Sequence, residues 1–321
     1  MPRALLVALG LLSAVISQKR QKKPITRVSD IAPHCVVTDS GIANASWVSV
    51  ANASTTKGRF RMGVHRGGGI SDEVSLKILR TGHWEIRSPE DMARMAGGVS
   101  IPTRGRFLDV GANLGFYSLT FAQAGWDVVA VEPMQRNRLA FAVSLCLNPA
   151  LAPRINRVPA ALVQSPEVAA ASTCIAKVRK SNFGDGAITC TTGSSSSSSS
   201  SSSGKACSSE LTCERVRAMT LDQVLEQTPA TRVDVAKADV EGMECKVFSG
   251  GRSLFSLPRR VKLLQVEANT AKTQRCLTEI ANQYGYHIVK PKAPRAGDRP
   301  ADQNWFLVDK TEGSVAPGRL L

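Results

Sequence analysis

Residues 106–133 constrain the fold more tightly than any other stretch of the chain. Residues 107–110 (Phe-Leu-Asp-Val) are mostly apolar and long enough for a buried parallel strand. Gly111 and Gly115 then bracket a turn in which backbone can approach a ligand without a Cβ in the way. Residues 116–124 have helical spacing, and Gly125 is a fitting stop. Residues 128–131 read as a second buried strand, with Glu132 at its carboxyl end. In open α/β sheets that edge is where ligands bind. A carboxylate placed there can accept both hydroxyls of a ribose.

The same rhythm continues downstream. Residues 135–147 have helical spacing and stop at Asn148-Pro149, and residues 155–163 read as a third strand. A short helix follows Thr220. Residues 233–242 form a strand ending in Asp239 and Glu241, and residues 261–269 another ending in Glu267. Helices are predicted over 244–254, interrupted by Gly250-Gly251, and over 273–285. Residues 286–289 and 304–308 look like a closing pair of strands. The count is about seven strands alternating with helices, which predicts an α/β, Rossmann-like sheet with helices on both faces. Upstream, residues 71–80 have helical spacing, and Ser88-Pro89 caps and opens a second helix. Residues 81–85 between them are either a flap over the ligand or a lead-in packed through Trp84.

The ends of the chain differ in character. Residues 4–17 are an uncharged apolar run behind Arg3, too short for the roughly 20 residues of a spanning helix. Residues 1–17 therefore read as a signal peptide or short signal anchor, which predicts the secretory pathway, Golgi lumen or secretion. The alternative is an organelle transit peptide, because residues 1–29 hold six basic residues and no acid. Residues 18–69, rich in Ser, Thr and Ala and carrying the sequons at Asn44 and Asn52, read as a low-order stem. Residues 70–310 form the predicted catalytic domain and 311–321 a tail. The ten serines from 194 to 203 place a disordered insertion at 190–214, within a loop-rich region over 164–220.

Cys174, Cys190, Cys207 and Cys213 cluster there, as two disulfides or four free thiols. Cys146 and Cys245 fall in apolar helical patterns, which predicts buried thiols. No CxxC pair or other His, Cys and carboxylate set has metal-ligand spacing, so metal independence is expected. The net charge of +15 suits an anionic glycan or a membrane surface, and the N-terminus could associate with a membrane. No aromatic RNA-reading motif is present, so nucleic acid is not an expected partner. The oligomeric state has no signature in the sequence.

Glu132, Asp239, Glu241 and Glu267 share one edge of the predicted sheet, which points to one site. A dinucleotide fingerprint needs glycines where this chain has Asn113 and Phe116, which argues against a nicotinamide oxidoreductase, the least favoured reading. The pattern Asp109-x-Gly111-x-Asn113-x-Gly115 followed by Glu132-Pro133 instead resembles the first two motifs of class I S-adenosylmethionine-dependent methyltransferases. Asn182-Phe-Gly184, Leu221-Asp222, Lys237-Ala-Asp239-Val-Glu241-Gly242-Met-Glu244 and Glu267 extend the likeness. Over residues 105–310 the chain resembles the FkbM-like family.

That resemblance implies a class I methyltransferase sheet and S-adenosylmethionine as cofactor, held by Asp109, Gly111, Asn113, Gly115, Glu132 and Asn182. In this reading the amides of the turn at residues 111–115 and of the following helix start take the cofactor carboxylate, and Glu132 takes the ribose. Asp239, with Glu241 and Glu267, is expected to activate or orient a hydroxyl acceptor. The expected reaction is O-methylation of a glycan or glycolipid, the glycan part resting on location. A small-molecule hydroxyl and a silent methyltransferase-like binding module are the alternatives.

Overall fold

A computed structural model describes residues 47–66, 72–179, 182–192, 211–228, 232–290 and 304–311. The N-terminal apolar run, the Asn44 sequon, Cys35, Cys207 and the serine tract lie outside the described residues, as does the tail beyond residue 311. No helix among the described residues is long and apolar enough to cross a membrane.

The chain enters the fold earlier than its composition suggests. β1 (Val48–Thr55) and β2 (Gly58–His65) form an antiparallel hairpin where a low-order stem is expected. The physical reason is a period-two pattern: Phe60, Met62 and Val64 are buried, while Arg59 and Arg61 are exposed. On β1 the buried side chains include Ala51 and Ala53, small residues that mask this pattern. The hairpin belongs to the main core rather than to an appendage. Met62→Ala is therefore expected to cost about 2–4 kcal/mol. Denaturant unfolding checks this; a loss below about 0.5 kcal/mol would return the hairpin to a stem.

α1 (Glu73–Thr81) and α2 (Pro89–Met95) follow, capped by Asp72 and Ser88. Then come β3 (Arg106–Val110), α3 (Phe116–Gln123), β4 (Asp127–Val131), α4 (Gln135–Leu147) and β5 (Ile155–Val158). The predicted third strand ends early because Pro159 interrupts it. Its continuation, β6 (Ala161–Leu162), leaves the main sheet.

The described residues within 164–220 are ordered on both sides of the serine tract, which lies outside them. α5 (Pro166–Ala171) leads into β7 (Ser172–Arg179), β8 (Asn182–Thr192) and β9 (Leu211–Val216), an antiparallel sheet with β7 in the middle. Cys174 and Cys190 face each other across β7 and β8 and form a disulfide. β10 (Ala218–Met219) then pairs with β6.

α6 (Leu221–Gln227) is held by a capping box between Thr220 and Gln223. β11 (Val235–Ala238), α7 (Glu244–Ser249), β12 (Leu263–Glu267), α8 (Ala271–Tyr284), β13 (Tyr286–Val289) and β14 (Asn304–Asp309) complete the fold. The seven-stranded sheet has the order β13-β14-β12-β11-β3-β4-β5, with β14 antiparallel to its neighbours. Alternate residues feed two cores: Phe107, Val235 and Leu263 face α3 and the hairpin, whereas Leu108, Ala236 and Leu264 join the core of α6 and α8. Chain order reverses between β3 and β11, which opens a crevice beyond their carboxyl ends.

The expected buried thiols are corrected. Cys245 is bonded to Cys276, tying α7 to α8, and Cys146 is also in a disulfide. Both cysteines are half-buried, and helical periodicity does not show what a sulfur meets.

Candidate active site

A cavity of about 250 Å³ fills the crevice beyond β3, β4, β11 and β12. It is lined by Asp109, Gly111, Asn113, Glu132, Asp239, Glu241 and Glu267, so the structure brings together nearly all the residues expected from the sequence. Asn182 opens β8, but its side chain lies outside the described residues. Gly186 and Ile188 of the same strand do line the cavity.

The glycine turn is shaped by what crosses it. Gly111 has φ +78°, and a Cβ there would overlap the carbonyl oxygen of Asp239. Gly115 has φ +83°, and a Cβ would meet the Phe141 ring. Asn113 also takes a left-handed φ of +51°, which Asn tolerates better than most residues. The turn uses its own amides. Those of Gly111 and Ala112 bond to the Val131 carbonyl, that of Asn113 to Glu132 and that of Gly115 to the Ala112 carbonyl. These four amides lock the loop, so of the donors expected to face a carboxylate the start of α3 is the part that this bonding does not engage.

Glu132 is almost fully buried. One of its oxygens accepts from the Asn113 amide at 2.8 Å; the other accepts from the Met134 amide at 2.8 Å and the Asn137 side chain at 3.3 Å. Burial pushes its carboxyl up to about 7, against the pull of those donors. Asn137 in turn meets Nε2 of His65 at 2.9 Å, which links the hairpin to this acid. Asp109 is fully buried and accepts from the Ser118 amide and hydroxyl at 3.1 and 2.6 Å, pinning the first turn of α3. Its carboxyl is raised by burial, with Lys237 pulling the other way. Asp109 Oδ1 and Asn113 Oδ1 have no hydrogen-bond partner among the described residues. Beside Gly111, a narrow apolar recess is lined by Pro133, Ala160, Leu162, Ile188, Val240 and Met243.

The other end of the cavity is acidic. Carboxylate oxygens of Asp239, Glu241 and Glu267 lie within 4.8 Å of one another. The structure thus places together the three acids expected at the ends of two neighbouring strands. It could take a cation or a shared proton, and the neighbouring ammonium of Lys237 favours the proton. Lys237 Nζ donates to Asp239 at 3.0 Å. Burial opposes charge on Asp239, but Lys237 outweighs it and holds the carboxyl below its ordinary range. Glu267 is pushed up to about 8 by burial and by the charges of Asp239 and Glu241. The pair thus carries one proton near neutrality.

Tyr117, Gln265 and Glu85 complete this end. Tyr117 donates to Glu85 at 2.6 Å and accepts from the Gln265 amide at 3.1 Å. Glu85 has φ +49° in the segment expected as a flap or a lead-in, and both Trp84 and Glu85 line the cavity. Sequence reasoning missed Lys237, Gln265, Tyr117 and Asn137 as site residues. A signal existed for two of them: the apolar runs 235–238 and 263–266, like 107–110, each have a polar residue at the third position.

The profile of the Methyltransferase FkbM domain matches residues 109–289, more than half of the chain. The chain belongs to the FkbM methyltransferase family. No curated protein sequence matches it. Among solved structures, a METTL16 methyltransferase domain is 12% identical with a TM-score of 0.38, covering 67% of this chain and 63% of that one. The precorrin-6y C5,15-methyltransferase of Geobacter metallireducens is 11% identical with a TM-score of 0.36, covering 70% and 88%. The N-terminal domain of human METTL16 in complex with SAH gives 12% and 0.35, covering 67% and 65%. At these values the structural likenesses add no argument. The assignment rests on the family match.

Family membership makes S-adenosylmethionine the cofactor for this FkbM domain, and the cavity fits it. Asp109 Oδ1 is a spare acceptor for an amine, Glu132 Oε2 keeps a lone pair for a ribose hydroxyl, and the apolar recess offers a slot for a flat base. The raised Glu132 carboxyl gives a pH test. The ionised form is the one with a lone pair left for a ribose hydroxyl, so affinity is expected to be full above about pH 7. It should fall by up to about tenfold per unit below that, because the acid must first lose a proton. Calorimetry in buffers of differing ionisation heat should show proton release near pH 6.5. A flat affinity from pH 6 to 8 would contradict the role of Glu132.

Proposed function

We propose that this FkbM-family domain methylates a hydroxyl oxygen, with a carbohydrate of the secretory pathway as acceptor. The observation that carries the oxygen assignment is the Asp239–Glu267 pair at the far end of the cofactor cavity. A hydroxyl is a weak nucleophile and needs its proton removed as it attacks. S-adenosylmethionine, when bound, supplies a methyl group on a sulfonium and leaves as a neutral thioether. The protein's share is positioning and proton management. Asp239, held ionised by Lys237, accepts a hydrogen bond from the hydroxyl. The displaced proton stays within the Asp239–Glu267 pair until solvent removes it. Tyr117 and Glu85 wall the same end of the cavity.

Location and acceptor class rest on further features. The disulfides Cys174–Cys190 and Cys245–Cys276 suit an oxidising compartment. The sequon residue Asn52 is exposed on β1. The apolar run at residues 4–17 supports entry to the secretory route, and the basic surface suits an anionic glycan. Purified protein given S-adenosylmethionine with an isotopically labelled methyl group and a secretory glycan extract should yield methylated sugars after hydrolysis. Label in small-molecule hydroxyls but not in sugars would change the acceptor class. Binding without any transfer would make the domain a binding module.

A further inference from the structure

We propose that Lys237 is a positioning residue of the methyl transfer: its ammonium, at the floor of the cavity, fixes Asp239 as the charged member of the Asp239–Glu267 pair. This rests on the hydroxyl-methylating reading above. The observation that carries it is a buried polar row across the centre of the sheet. Asp109, Lys237 and Gln265 are direct neighbours in the register of β3, β11 and β12. All three are buried, at 0%, 6% and 0% exposure. They point to one face of the sheet, while Leu108, Ala236 and Leu264 point to the other.

Each member of the row reaches a different part of the site. Asp109 pins α3 through Ser118, and Gln265 orients the Tyr117 hydroxyl toward Glu85. Lys237 reaches along its own strand face to Asp239, two residues on, at 3.0 Å. Its ammonium lies 5.2 Å from the centre of the Tyr117 ring. A lysine with no such task would be a poor choice here. Its strand neighbours Val235, Ala236 and Ala238 are buried and apolar, and an apolar side chain of similar volume would avoid the desolvation of an ion.

The charged surroundings explain why Lys237 holds a charge rather than moving a proton. Asp239 meets it from the end of β11, with Glu267 at the end of β12 and Glu241 grouped around Asp239. Asp109 approaches from β3 and Glu85 from the turn before α2. Tyr117 covers it from α3, and Glu244 opens α7 behind Asp239. Burial alone would lower the ammonium. Asp239, Asp109 and Glu85 together outweigh burial and hold its proton above the ordinary lysine range. Lys237 is therefore not the base. It decides which carboxylate is.

Carboxyl-carbon NMR titration of the full-length protein tests this without knowledge of the acceptor. In Lys237→Met the Asp239 midpoint should rise by at least one pH unit, a tenfold change in proton affinity. Lys237→Arg should restore it. Affinity for S-adenosylhomocysteine should stay within about threefold in both. Lys237→Gln serves if the Met variant does not fold. An unchanged Asp239 midpoint overturns the proposal, and so does a loss of affinity with no change in midpoint. Failure of both uncharged variants to fold also overturns it, because the charge would then serve the fold. Absence of methyl transfer by wild-type protein would sink the hydroxyl-methylating reading instead, whatever the midpoint does.

Discussion

Gly111→Ala is expected to abolish measurable S-adenosylmethionine binding and to destabilise the domain. Two separate costs add at this position. An L-residue at φ +78° pays about 1–2 kcal/mol of backbone strain. The new methyl group would also overlap the Asp239 carbonyl oxygen, which is backbone and is itself fixed, because the Asp239 amide bonds to the Val110 carbonyl at 3.0 Å. Relief requires β3 and β11 to part at the crevice, which displaces both the turn beside Glu132 and the loop that carries Asp239. The expected result is at least a hundredfold loss of affinity by calorimetry, about 2.7 kcal/mol. Gly98→Ala is the control. It has φ +80°, but its added Cβ meets nothing within 4 Å. It should show the strain alone, as a modest loss of stability with cofactor affinity intact. Equal effects at the two positions would mean that strain, not the close approach to Asp239, makes Gly111 necessary.

Glycines and strand ends were the legible part of this site. A glycine at position 111 and carboxylates at the ends of apolar runs follow from local rules about strands and turns, so the sheet, its ligand edge and most of the lining residues could be read directly. The partners were not legible. That the turn amides are spent on Val131, Ala112 and Glu132 depends on how β3 and β4 lie against each other. That Lys237 stands beside Asp109 and Gln265 depends on the register of three strands far apart in sequence. Glu85 reaches the site only because residues 84–86 fold back beside α3, and Tyr117 makes the connection.

The hairpin at residues 48–65 shows a different kind of failure. Its Ser, Thr and Ala content resembles a flexible stem, and that composition masked the alternation of Phe60, Met62 and Val64. Composition is a mean property, whereas a strand is specified by alternation. The region around residues 172–216 failed in the same way: the serine tract drew attention from the flanking strands, where Ala176 and Val178 are buried and Cys174 is disulfide-bonded.

Asp239→Asn should then separate chemistry from binding. Asparagine keeps the size of the side chain but cannot take a proton, and it places a neutral amide beside Lys237. Losing a general base typically costs 10²–10⁴-fold in rate, so labelled methyl transfer into the glycan fraction should fall by about that much. Calorimetric affinity for S-adenosylmethionine should change by less than about threefold. The pH profile carries the sharper test. In the wild type a protonated Glu267 donates to Asp239 and weakens it as a base, so activity should rise with pH through about 8. That is where Glu267, raised by burial and by the charges of Asp239 and Glu241, gives up the proton held in the pair. Removing the Asp239 charge removes one cause of that elevation. The residual activity of Asp239→Asn should therefore rise at a lower pH than the wild type, by about one unit or more. A variant that keeps the wild-type rate would reduce Asp239 to a brace for its loop. One that loses rate with an unmoved limb would separate Asp239 from Glu267, because the two would not be titrating as one pair.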